Sequence, residues 1–315
     1  MSKKLENIQW QSNDFAHTFI RSLHTSLYYA GMNESIAQVA GRSGFAFRTI
    51  VHKELCPSAM SVFDWDLLKE ASKNCGVEVD VVTRLWHEDE LEPQRREEAV
   101  SIIKRAIDRH VPTVAWDLTV PEWELVTGYD DQLKRFDCLS VMNKEATLEY
   151  DKLGRREIPI LFVMAPGKAN GITAEAALKR ALQMAVDHSL EKEFCERPDY
   201  QDGHKAYELW AKALGTIKED DWSSRYYLST YECMRRLAVE YLQSHLQRVP
   251  ALAPVVELYK QVHSSLNKAL TLRNSEVFPD PHGIKEMQTL ILQAGSYEKE
   301  ATERIAFLIE NELIT

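Results

Sequence analysis

Three side chains in this sequence carry the chemistry of a group-transfer centre. Thr18, in DFAHTF, offers a hydroxyl, Cys56 a thiol with His52 four residues before it, and Glu122, in VPEWEL, a carboxylate. A hydroxyl or thiol attacks a carbonyl efficiently only where a base takes its proton, so these three are the candidate catalytic residues. Thr18 without a nearby base is a poor nucleophile, and Pro57 directly after Cys56 argues for a loop rather than the helix that would align Cys56 with His52. Arg48, closing the stretch SGFAFR, suits two roles. It clamps a carboxylate or phosphate bidentately, or it forms an internal ion pair with Glu122 that fixes the neighbouring hairpin. His17, Arg48, Glu122, Trp123 and Tyr129 are the candidate ligand contacts, although Trp116 and Trp123 in strands also serve plain packing. His204 and His282, each beside a glycine, read as helix-start residues. No His, Asp or Glu cluster has metal-ligand spacing, and neither a metal nor a cofactor is expected.

These residues need elements to hold them. Pro112 to Leu118 and Trp123 to Thr127 read as strands joined by the Pro121-Glu122 step, and Gly128-Tyr129-Asp130-Asp131 as a turn into a further strand, Leu133 to Leu139. Ahead of them a helix starts at Asn13 or Asp14 and runs to Gly31, with Phe15, Phe19, Leu23 and Leu27 on one face. A second helix, Glu34 to Ala40, leads into a loop where Gly41 and Gly44 let backbone pass close to something. Next come a helix in DWDLLKEASKNCG, a strand in VEVDVVTRLW and a helix from Pro93 to Asp108. The most hydrophobic strand, REIPILFVMAP, comes last. Beyond Pro166-Gly167 the apolar period is helical to the end of the chain. The fold class is therefore α+β, an antiparallel-sheet module over residues 1–165 with a helical bundle over 166–315 packed on it.

The order of a first helix, a Pro-Glu step, a strand and a Gly-Tyr-Asp-Asp unit resembles papain-like hydrolases of the peptidase C39-like type. The SGFAFR stretch (Ser43 to Arg48), PEWELVTGYDD, and the helices GHKAYELWAKAL and CMRRLAVEYL are similar to the family of the butirosin biosynthesis protein H N-terminal domain and to a bacterial group of the same layout. The resemblance implies a papain-like fold and acyl transfer from a carrier. It also implies a Cys at the start of the first helix and a His before the apolar strand. This chain has Thr18, preceded by His17, at the first position and Glu122 at the second. The resemblance together with these two departures implies a catalytically degenerate relative that binds a small or peptidic ligand between the first helix and the central hairpin. The alternative is an active amide or thioester hydrolase or acyltransferase using Thr18 or Cys56, so whether the protein is an enzyme stays open.

The chain as a whole narrows the classes further. Its 315 residues carry a net charge of −10, with a pI near 5.6, which leaves no global field for phosphate backbones. A third reading survives locally. SIAQVA, a glycine-containing turn and FRTIVHKEL match a helix-turn-helix whose recognition helix would carry Arg48, His52 and Lys53, but the Phe45, Phe47, Ile50 and Val51 face would need burying, and no nucleic-acid partner is expected. Five scattered cysteines without a CxxC pair fit reduced thiols, and no apolar run has membrane-spanning length or signal-peptide form. A cytoplasmic protein, off the membrane, is expected, with self-association left open.

Overall fold

The computed structural model describes residues 1–190, 197–218, 221–276 and 278–314. Its elements begin with β1 (Ser2–Lys4), α1 (Thr18–Tyr29), α2 (Ile36–Arg42), β2 (Ile50–His52), α3 (Asp66–Asn74), β3 (Val77–Arg84) and α4 (Glu92–Asp108). Then come β4 (Thr113–Trp116), β5 (Trp123–Asp130), β6 (Arg135–Leu139), β7 (Glu145–Glu149) and β8 (Leu161–Ala169). The remainder is α5 (Ala174–Ser189), β9 (Tyr200–Asp202), α6 (Gly203–Leu214), α7 (Trp222–Ser244), α8 (Ala253–Arg273) and α9 (Pro281–Glu310). They gather into two compact units, one of Met1–Asp14, Thr18–Val39 and Trp65–Gly171, the other of Phe15–His17, Ala40–Asp64 and the chain from Ile172 onward. Residues 40–64, counted with the N-terminal module on sequence, thus belong with the C-terminal helices, because β2 takes its only described strand partner from β9.

The first unit is an antiparallel sheet in the order β3-β8-β4-β5-β6-β7, with β1 added alongside β5. Strands β4 to β7 form a meander, and β8 returns to pair with β4. Alternation along β8 sorts its two faces. Leu161, Val163 and Ala165 join Ile103, Ala106 and Ile107 of α4 in one apolar cluster. Phe162 turns the other way to meet Phe19 of α1 and Trp65 just before α3. The fold is α+β, as the change from strand to helical period indicated.

Two boundaries differ from the sequence reading. Helix α1 starts at Thr18 rather than at Asn13 or Asp14, because Asp14 is held in a local turn: Ser12 Oγ donates to its carboxylate at 2.7 Å and accepts its backbone N–H at 3.0 Å. Strand β5 runs through Gly128 and Tyr129 to Asp130 instead of turning at Gly128. The turn comes at Asp130, whose Oδ1 accepts the backbone N–H groups of Gln132 and Leu133 at 2.8 and 3.0 Å. Gly128 serves close approach instead. A Cβ there would lie 2.6 Å from Asp137 Oδ2 and 3.0 Å from Lys3 O, so its bare backbone lets β1 and β6 flank it.

The second unit corrects the helix-turn-helix reading. Ile36–Arg42 is a helix, but the recognition-helix segment is a single 3-10 turn, Phe45–Phe47, followed by strand β2. Phe45, Phe47, Ile50 and Val51 are all buried, so the apolar face that a recognition helix could not leave exposed goes into a core. Arg235 of α7 holds the backbone there. Its guanidinium donates to the carbonyls of Ala46 (2.9 Å) and Arg48 (3.0 Å) and to the Thr49 hydroxyl, while pairing bidentately with Glu298 of α9 at 2.6 and 2.7 Å. Gly41, expected in a loop, lies inside α2 and brings it against Tyr241 of α7, whose ring stands where a Cβ would be. No described helix is long and apolar enough to cross a membrane.

Candidate functional site

Helix α1 lies against β4 and β5 through hydroxyls spaced four residues apart, hence stacked on one face. Thr18 Oγ1 donates to Glu122 Oε2 at 2.5 Å, Ser22 Oγ to the carbonyl of Trp123 at 2.8 Å, and Ser26 Oγ to the carbonyl of Pro112 at 2.6 Å. Ser22 and Ser26 are fully buried, whereas Thr18 and Glu122 are half-buried, so the first of these contacts is the one solvent reaches. The structure thereby brings together two of the three candidate catalytic residues, at the first residue of α1 and immediately before β5.

A residue not singled out on sequence sets the loop that carries Glu122. Glu124 is fully buried and accepts from the Thr119 N–H and hydroxyl, both at 2.6 Å, and from the Val141 N–H at 3.0 Å. Burial pushes its carboxyl above the ordinary range, against those hydrogen bonds. One carboxylate thus ties the 117–122 loop to the end of β6. The loop is closed further by Asp117 N–H donating to the Glu122 carbonyl at 2.9 Å, and Arg156 reaching Asp117 at 3.3 Å. Sequence alternation in WELV hides Glu124, since a charged residue in a strand is ordinarily assigned to the solvent face.

The other candidates lie elsewhere. Trp123 is fully buried under Phe19, Trp65 and Trp116, which removes it as a ligand contact. Tyr129 packs in the α4 cluster and donates to Asp108 at 3.0 Å, on the face of the sheet away from α1; it too is a core residue. Cys56 is exposed, yet His52 is not its base. The His52 ring accepts the Glu54 N–H on Nδ1 and meets Tyr200 edge-on, while Cys56 Sγ accepts a hydrogen bond from Ser58 at 3.0 Å. His17 and Arg48 belong to the second unit and Glu122 to the first.

Those two residues line a small, partly open pocket of the second unit, with room of about 20 Å³ for water-sized groups. His17 Nε2–H donates to the Met60 carbonyl at 2.7 Å and its ring meets Phe45 edge-on. Burial pushes its pKa down to about 4, with the Arg48 charge adding to the effect, so it is neutral at physiological pH. The Arg48 guanidinium lies over the rings of Phe45 and Phe63, 5.4 and 5.2 Å from their centroids. Among the described residues no group of three or more His, Cys, Asp or Glu side chains is placed to hold a metal ion. No protein-family model and no curated protein matches the chain.

Proposed function

We propose that this protein is a papain-like relative that has exchanged its nucleophile and base for groups that hold a ligand, a small acyl or peptidic molecule bound at the start of α1 beside β5. The observation that carries this reading is the Thr18–Glu122 hydrogen bond, 2.5 Å long and half-exposed, joining the helix start to the strand start. A carboxylate is too weak a base to ionise an aliphatic alcohol to a useful extent at neutral pH. The same pair presents a hydroxyl oxygen that accepts and carboxylate lone pairs that bind N–H groups, as amide recognition requires. The contact also favours Thr18 over Cys56 as nucleophile should the protein turn over substrate.

The test has two arms. Wild-type protein is mixed with acetyl and aminoacyl N-acetylcysteamine thioesters and with aminoacyl amides, and binding and hydrolysis are followed together. Saturable binding without turnover, weakened by Thr18→Val and by Glu122→Gln, is expected. Thioester hydrolysis that Thr18→Val abolishes would instead make the protein an enzyme. In the second arm, Thr18→Cys with Glu122→His in a Cys56→Ser background should gain a thiol that iodoacetamide alkylates faster than a free cysteine. Alkylation no faster than free cysteine would remove the papain-like relationship.

A further inference from the structure

A pocket of the first unit has chemistry that involves neither Thr18 nor Glu122. It is partly open, is lined by Arg84, Asp89, Glu92, Pro93, Arg155 and Pro159, and has room of about 360 Å³ for water-sized groups. That size is ordinary for a small-molecule site. Its four charges are unequally satisfied. Glu92 Oε1 lies 2.9 Å from Arg96 Nε and 3.3 Å from Arg155 Nε, so this carboxylate is compensated twice. Arg84, only 2 % exposed, gives its Nη groups to the carbonyls of Gly154 (2.5 Å), Pro159 (2.7 Å) and Leu85 (3.4 Å), and its buried Nε–H has no partner among the described residues. Carbonyls take up N–H groups but do not cancel a charge. Among the described residues the carboxylate that reaches this guanidinium is Asp89, at 4.0 Å and on a side chain that is 87 % exposed. The buried Arg235, by contrast, holds Glu298 bidentately. Arg155 is half-exposed and meets Glu92 through Nε, and its Nη groups make no hydrogen bond to the described residues.

We propose that this pocket binds a free α-amino acid with an apolar side chain. The ligand carboxylate sits on the Nη groups of Arg155, in the field of the buried Arg84 charge, the ammonium on Asp89, and the side chain against the rings of Pro93 and Pro159. A guanidinium edge matches a carboxylate in shape and charge. A desolvated cation beside it strengthens the attraction. A simple anion would leave Asp89 facing a like charge, whereas a zwitterion gives each sign on the lining an opposite sign on the ligand.

Calorimetry on the full chain at pH 7 tests the site, with L-phenylalanine and L-leucine as probes. Both should bind saturably, and 3-phenylpropionate, which lacks the ammonium, and phenethylamine, which lacks the carboxylate, should each bind at least about tenfold more weakly than phenylalanine. The side chains of Asp89 and Arg155 are exposed enough to be changed without disturbing the fold. Asp89→Asn should weaken phenylalanine about tenfold and leave 3-phenylpropionate unchanged, while Arg155→Gln should weaken both. Thr18→Val and Glu122→Gln should alter neither, which keeps this site separate from the one proposed above. No saturable binding of either amino acid to the wild type would overturn the proposal. So would phenylalanine binding that Asp89→Asn and Arg155→Gln leave intact, or 3-phenylpropionate binding as tightly as phenylalanine.

Discussion

The Thr18 hydroxyl donates a hydrogen bond to Glu122 at 2.5 Å, a carboxylate that orients the hydroxyl but is too weak a base to ionise it at neutral pH. Cys56 cannot substitute for it, since its neighbouring histidine is engaged with backbone and with Tyr200. Among the described cysteines it is the exposed one, with Cys75, Cys138 and Cys233 buried, so its preferential alkylation would report access and not activation. His17 makes a sharper prediction. Its folded pKa, about 4, lies below the ordinary 6.5, so between those values the unfolded chain binds a proton that the folded chain refuses. The corresponding stability is complete above about pH 6.5 and is lost as pH falls toward 4. Between pH 7 and 5 wild type should lose about 2 kcal/mol more than His17→Gln, whose amide N–H can still reach Met60. Urea midpoints at the two pH values measure the difference.

At the scale of elements, α1 is anchored by Thr18, Ser22 and Ser26, a stripe with an apolar flank in Phe19 and Leu23. Replacing Ser22 with alanine leaves the Trp123 carbonyl without that donor in a dry interface and should cost about 1–3 kcal/mol, read as a shift in urea midpoint at constant slope. Gly128→Ala sets a methyl against Asp137, Lys3 and Lys4. It should destabilise by about 1–3 kcal/mol and loosen β1, seen as faster amide exchange at Lys3 and Lys4. The helices and the long strands were legible from period and from their Gly and Pro punctuation. What escaped were elements defined by a distant partner: β1 and β9 are three residues each, and β7 is an EATLE segment with little strand signature. Residues Arg48 to Lys53 misled for the same reason. Locally they suit a helix, and only pairing with β9 and the Arg235 donors make them extended.

For the whole molecule, charge and secondary structure lead to one joint prediction. A chain of net charge −10 whose recognition-helix segment is a buried strand should not retard random duplex DNA in a gel at low salt; retardation that weakens steeply with added salt would contradict this. The candidate site was half legible. Thr18 and Glu122 could be picked because both sit at element starts beside turn residues, where side chains are only partly buried. Trp123 and Tyr129 were misassigned because a strand sequence does not say which of its faces a helix will cover. Glu124 and the Arg235–Glu298 pair were invisible because a buried charge is announced by its partners in space, not by its neighbours in sequence.

The chain passes between its two units at 14/15, 17/18, 39/40, 64/65 and 171/172, so neither is a single stretch of polypeptide. A ribosome therefore finishes the sheet's last strand while β2 still lacks β9, and the carbonyls of Ala46 and Arg48 wait for Arg235, itself uncompensated until Glu298 emerges. A nascent chain halted before Glu298 should expose residues 40–64 to protease, and a fragment beginning at Ile172 should not fold by itself.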